Sequence, residues 1–145
     1  MLCGAALLVP RPLTATPQQP DSITFTVVVP DSVRRGEPVP ITLRLTNTGD
    51  RTLTLYLTGR SITFDIIVAR PDGDVVWRRL EHVASQQILQ VRALAPGETL
   101  DLKERWRQRT NAGAAAPPGD YTVKGVIPTD GQPLRTAPVD LRVTP

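Results

Sequence analysis

What most limits this chain is a repeat of two. Val39, Ile41, Leu43 and Leu45 alternate with Thr42, Arg44 and Thr46. Successive side chains of a strand point to opposite faces, so this pattern buries one side and wets the other. The same period recurs before and after. Ile23, Phe25, Val27 and Val29 share a face against Thr24, Thr26 and Val28, and Leu53, Leu55 and Leu57 alternate with Thr52, Thr54, Tyr56 and Thr58. A helix needs apolar partners three and four positions apart, yet three and four after Leu100 stand Lys103 and Glu104. Period two therefore also governs the stretch from Leu94 to Trp106. Leu100, Leu102 and Trp106 fall on one side, with Asp101, Lys103, Arg105, Arg107 and Arg109 on the other.

Turn residues punctuate these runs. Pro96-Gly97, Asn47-Thr48-Gly49-Asp50 and Arg70-Pro71-Asp72-Gly73 each combine a residue that pre-sets or closes a turn with a glycine free to take positive φ. The spacing predicts a hairpin joining Val39–Leu45 to Leu53–Leu57, and another joining a strand over Ile62–Val68 to Val75–Arg78. Val33–Pro38 reads as a loop, and Glu81–Gln87 as a polar loop with a short helical turn at most. Ile88–Leu94 reads as a weaker strand with Leu89 and Val91 inward. Thr110–Gly119, rich in alanine, proline and glycine, is expected to be an exposed, mobile connection. Val123 and Ile127 then point inward, and Ala137, Val139, Leu141 and Val143 close the sheet. Tyr121, just past Pro118-Gly119-Asp120, fits the tyrosine corner of immunoglobulin-like domains, whose hydroxyl ties back to upstream backbone. The pattern predicts an all-β, immunoglobulin-like two-sheet antiparallel Greek-key sandwich of about 8–9 strands, with a barrel as the lesser alternative.

A chain of 145 residues is one domain and can bury a core without metals or cross-links. The sandwich is assigned to residues 22–145, after an apolar and then proline-rich segment over 1–21. That segment reads either as the tail of a secretory signal whose start lies upstream of Met1, or as a frayed apolar end. Under the first reading Cys3 is a candidate lipid acceptor and the chain is exported to the cell envelope or beyond; under the second it stays in the cytoplasm. Leu2–Val9 is too short to span a bilayer, so no transmembrane segment is expected. Cys3 is the sole cysteine, which excludes an internal disulfide and a thiolate metal site. A net charge of +3 lacks the clustered basic footprint that nucleic acid requires.

The usual catalytic sets are missing. His82 is the sole histidine, and a triad would have to join it to Ser85 or Cys3; His82 lies in a polar loop, and Ser85 lacks the Gly-x-Ser-x-Gly elbow. Asp72 and Asp74 offer too few oxygens for calcium, and Glu98 and Glu104 lack the setting of a sugar-cleaving pair. No enzyme, cofactor or metal is expected. Two features remain as candidate binding sites. Lys103, Arg105, Arg107 and Arg109 form a basic face that can grip an acidic partner, or serve only as a solvated face that deters edge-to-edge sticking. Ala114-Ala115-Ala116-Pro117-Pro118 is a small-residue loop stiffened by proline, with Glu81–Gln87 as the second candidate.

From about Ile41 to Ile127 the chain resembles the bacterial intracellular proteinase inhibitor (BsuPI-type) family. The resemblance rests on an ordered series: Asn47-Thr48-Gly49, Leu53-Thr54-Leu55, Thr58-Gly59, Phe64-Asp65, Pro71-Asp72-Gly73, Val76-Trp77-Arg78 and Gln87. It closes with Leu94-Ala95-Pro96-Gly97-Glu98, Trp106 and Gly119-Asp120-Tyr121-Thr122-Val123. It implies an immunoglobulin-like domain with core tryptophans whose partner is a protein, a subtilisin-type serine protease. Nearly all of the matching residues are structural, so a non-inhibitory accessory module of the cell envelope is the alternative.

Overall fold

The computed structural model describes residues 22–58, 60–82 and 90–145. Ser85, Gln87, Leu89, most of the second candidate loop and the amino-terminal segment with Cys3 lie outside the described residues. Among the described residues there are twelve strands and no helix. They are β1 (Ile23–Val28), β2 (Ser32–Arg34), β3 (Val39–Asn47), β4 (Leu53–Thr58), β5 (Ser61–Ile62) and β6 (Asp65–Ala69). After them come β7 (Val75–Arg78), β8 (Gln90–Leu94), β9 (Thr99–Trp106), β10 (Gly119–Ile127), β11 (Leu134–Arg135) and β12 (Val139–Thr144). One sheet runs β1-β3-β9, a second β2-β12-β10-β6-β7 with β11 beside β10, and a third β5-β4-β8.

All three sheets turn their apolar faces into one core that includes Phe25, Leu43, Leu55, Val68, Trp106, Tyr121 and Leu141. Val39, Ile41, Leu43 and Leu45 are buried as their alternation demands. Facing them across the core is β10, and there the approach is so close that only glycine fits. A Cβ on Gly125 would stand 2.5 Å from Cδ2 of Leu43, itself fully buried.

Where the structure departs from the sequence reading, pairing geometry explains why. Strands β3 and β4 do not form the expected hairpin: β3 pairs with β1 and β9, while β4 pairs with β5 and β8. The β3–β9 ribbon instead runs on into the β4–β8 ribbon. Asn47 fixes the junction. Its Nδ2 donates to Arg51 O at 2.7 Å and Leu94 O at 3.0 Å, and its Oδ1 accepts from Gly49 N at 3.1 Å. Its backbone N–H donates to Glu98 O, and its carbonyl accepts from Gly97 N. Asn47-Thr48-Gly49 and Leu94–Glu98 are therefore one clamp, held by a buried amide with its bonds made.

Val33 is not in a plain loop. Ser32–Arg34 pairs with β12 and runs parallel to it, so the second sheet is not purely antiparallel. Strands of two or three residues (β2, β5 and β11) are too short to show a period, and they raise the total above the expected eight or nine. Ile62 and Phe64 to Val68 are not one strand. The chain leaves β5 of one sheet and enters β6 of another at Thr63-Phe64, although Ile62, Phe64, Ile66 and Val68 all stay buried. Val91 points outward, 58% exposed, because pairing Leu53 with Leu94 puts Gln90, Arg92 and Leu94 on the face of Leu53, Leu55 and Leu57. A register shift of one residue reverses every side chain. Trp77 is only partly buried against the core, whereas Trp106 is fully enclosed. The Pro71-Gly73 hairpin joins β6 to β7 as expected, with Gly73 at φ 93° donating to Arg70 O.

Candidate functional site

Strand β9 is the third strand of its sheet and, among the described residues, pairs with β3 alone. Its inward side carries Leu100, Leu102 and Trp106; its outward side carries Asp101, Lys103 and Arg105, with Arg107 next in line. Asp101 is paired with Arg44 on β3, Oδ1 to Nε at 2.9 Å, and that bond holds its carboxyl below the usual carboxylate range. Lys103, Arg105 and Arg107 have no carboxylate within ion-pair distance among the described residues. Arg109, the fourth of the ladder, is spent locally: its Nη1 donates to Gly113 O at 3.0 Å. The free basic face is thus three cations long.

Glu104 shares the inward parity but does not enter the core. Its Oε2 accepts from Arg79 Nε at 2.9 Å, and its Oε1 accepts from the backbone N–H of Arg105 at 2.8 Å. The Arg79 guanidinium lies 3.7 Å from the ring centroid of Phe64, a cation–π contact, and donates to Phe64 O as well. Glu98, at the other end of β9, lies 3.6 Å from Arg92. Six residue steps of extended chain, about 20 Å, separate the two glutamates, too far to act on one bond.

Beyond Trp106 the chain forms the alanine–proline loop, and it is not a loose connection. Gln108 adopts φ 54°, the sole positive-φ residue other than glycine among the described residues. Its buried amide donates to Arg34 O at 2.9 Å and Glu37 O at 2.7 Å, and its Oε1 accepts from Gly36 N. The side chain thereby fastens the turn between β2 and β3. The backbone carbonyl of Gln108 accepts from Ala116 N at 2.7 Å, and Thr110 N donates to Ala114 O at 2.8 Å. Trp106 Nε1 donates to Arg109 O at 3.0 Å, and the Tyr121 hydroxyl donates to Pro117 O. That is the expected tyrosine corner. Burial raises the Tyr121 hydroxyl above its usual value, with Arg70 pulling weakly the other way, so it remains a proton donor. Trp106 and Tyr121 meet edge to face at 5.5 Å.

Ala116 is consequently buried, while Ala114, Ala115 and Pro117 are exposed. The two features read separately in the sequence meet here: Arg109 and Ala115 form a bridge, and a hollow of about 140 Å³ is lined by Arg107, Arg109, Ala115 and the Arg35-Gly36 turn. Sequence reasoning misses Gln108. Its one visible signal is parity, a polar residue continuing the inward series of Leu102 and Trp106. It misses Asn111 too. The Asn111 side-chain amide pairs with both N and O of Arg78, at 2.8 and 2.9 Å, and so covers part of the edge of β7.

His82 Nε2 lies 3.1 Å from Asn111 O. A carbonyl only accepts, so Nε2 carries the proton and the imidazole serves the loop. Asp72 Oδ1 accepts from Asp74 N, which commits that carboxylate to the hairpin turn. Among the described residues no group of three or more His, Cys, Asp or Glu is placed to hold a metal ion, and no helix is long and apolar enough to cross a membrane.

Sheets that share one core, a tyrosine corner and a pinned loop beyond an end strand define an all-β domain of the immunoglobulin-like class. Residues 25–132 match the intracellular proteinase inhibitor (BsuPI) family, and the chain belongs to that family. No curated protein matches the chain. Among solved structures it is similar to the CARDB domain of PF1109 from Pyrococcus furiosus, at 13% identity and TM-score 0.49, over 84% of this chain and 87% of that one. It is also similar to Spo0M, a sporulation control protein from Bacillus subtilis, at 13% identity and TM-score 0.51, over 84% of this chain and 49% of that one. At such identities the likeness concerns fold alone, and the chain spans about half the length of Spo0M.

Proposed function

We propose that this chain is a non-catalytic binding module, an immunoglobulin-like Greek-key sandwich that inhibits a subtilisin-type serine protease through Ala114–Pro118. Membership of the intracellular proteinase inhibitor family supports an inhibitory role. The observation that carries the choice of loop is its fixation: Gln108 O, Thr110 N and the Tyr121 hydroxyl hold its backbone at both ends, leaving Ala114, Ala115 and Pro117 exposed. A segment already ordered pays little further entropy on binding, and prolines beside small residues resist turnover in a shallow groove.

Purified chain titrated into a subtilisin assay is expected to give stoichiometric loss of hydrolysis. Replacing Ala114–Pro118 with a Gly/Ser stretch of equal length should remove the inhibition, with folding checked by thermal melt. Undiminished hydrolysis across a panel of serine proteases would refute the inhibitory role and favour the accessory module. Inhibition that survives the loop replacement would move the contact elsewhere.

A further inference from the structure

We propose that the free edge of β9, with Lys103, Arg105 and Arg107 beside it, is a docking strand for an extended acidic peptide segment of a partner protein, which adds to the sheet with Asp or Glu at alternate positions. The backbone is the first ground. In an antiparallel pair, N–H and C=O groups face the partner strand and the open side by turns. Pro40, which has no N–H, stands opposite Arg105, and the Arg105 N–H is turned away from β3 onto Glu104 Oε1. By that alternation the N–H and C=O groups of Asp101, Lys103 and Arg105 all face the open side, where β9 has no partner strand among the described residues.

Charge is the second ground. The neighbouring acids are committed, Asp101 to Arg44 and Glu104 to Arg79, whereas Lys103, Arg105 and Arg107 have no carboxylate within ion-pair distance among the described residues. These cations border a broad trough of about 1020 Å³ floored by Pro38, Pro40 and Thr42. Spacing is the third. Same-face side chains on a strand recur about every 6.8 Å, and an incoming strand has the same repeat. Its alternate side chains would therefore sit opposite Lys103 and Arg105 at cross-strand distance. A phosphate chain uses the cations but leaves the outward carbonyls unpaired. The outer face of β1, β3 and β9 also lacks an aromatic residue on which bases could stack. The same charges that repel a second copy of this edge attract an acidic strand, so protection and selectivity come from one device.

The inference is independent of the inhibitory loop and survives if no protease is inhibited. Its test uses the full chain and a labelled ten-residue peptide of alternating Glu and Thr, read by anisotropy at low salt, with a Gln/Thr peptide as control. The Glu peptide should bind and the Gln peptide should bind at least about tenfold more weakly. K103E/R105E should lose a similar factor or more while melting normally, because both residues are exposed. Amide exchange at Asp101 and Lys103 should slow on binding. Equal binding of the Gln peptide would overturn the inference. So would peptide binding that leaves those amides unprotected, or preference for a polyphosphate chain of equal charge.

Discussion

Strand β9 has two faces that follow different rules. Inward, Leu102 and Trp106 are held by packing and have little freedom to vary; outward, Lys103 and Arg105 touch little and are set by charge. A change on the first face alters whether the chain folds, and a change on the second alters what it meets. Glu104 belongs to neither. Its parity is inward, yet its carboxylate is held at the margin by Arg79 and the Arg105 amide. The strand therefore has stability on one side and recognition on the other, and substitutions can test how cleanly the two divide.

The sharpest break should come at Trp106. Trp106→Ala removes the largest fully buried side chain, its edge contact with Tyr121 and the Nε1 bond that anchors Arg109. A loss of about 3–5 kcal/mol is expected from chemical denaturation. A cost under about 1 kcal/mol would mean that the site collapses to fill itself, and the contrast between faces would fail.

Asn47→Ala should cost about 1–3 kcal/mol, since it removes the buried amide's bonds to Arg51 O and Leu94 O and frees the junction of the two ribbons. Unlike Trp106→Ala, it removes little apolar area, so an equal cost at both sites would mean that bonding matters as much as packing in holding the strand. Gln108 plays the matching part at the far end of β9, where its amide holds Arg34 and Glu37. A buried, satisfied amide thus stands near each end of the strand.

Those amides mark the limit of what the chain reveals before it folds. Val39–Leu45 is legible because one face is buried and the other wet, and a two-residue period then leaves no other assignment. The basic ladder is legible for the same reason. Asn47 looks like an ordinary turn residue, because nothing local shows that Leu94 and Arg51 will bring their carbonyls to it. Pairing of Ser32–Arg34 with Arg142–Thr144 joins segments about as far apart as the domain allows, and three residues have no period to reveal them. The alanine–proline loop misleads for a different reason: its order comes from backbone bonds and from Gln108 and Tyr121, which a low-complexity composition does not advertise.

Tyr121→Phe keeps the ring against Trp106 and removes only the bond to Pro117 O. A loss of about 0.5–1.5 kcal/mol is expected at neutral pH. The raised folded value sets the sign at alkaline pH. Stability from this hydroxyl is fully present below its ordinary value of 10.0 and is lost as pH rises through the higher folded value, because the unfolded chain releases the proton first. Melts of wild type and Tyr121→Phe should therefore converge above pH 10, and parallel curves would show that the hydroxyl releases its proton at the same pH in both states.

The smallest effect should lie on the outward face, at Arg44–Asp101. The Arg44 bond lowers the Asp101 carboxyl below its ordinary value of 3.8. Its contribution is present above that value and is lost as pH falls through the lower folded one. Both side chains are well exposed, so water and salt screen the pair and the difference should be slight. Arg44→Gln should melt a little below wild type at neutral pH, and the gap should close in acid and at high salt. If the gap persisted in acid, the arginine would act through its aliphatic stem against the sheet. The outward face would then share in the packing that distinguishes the inward one.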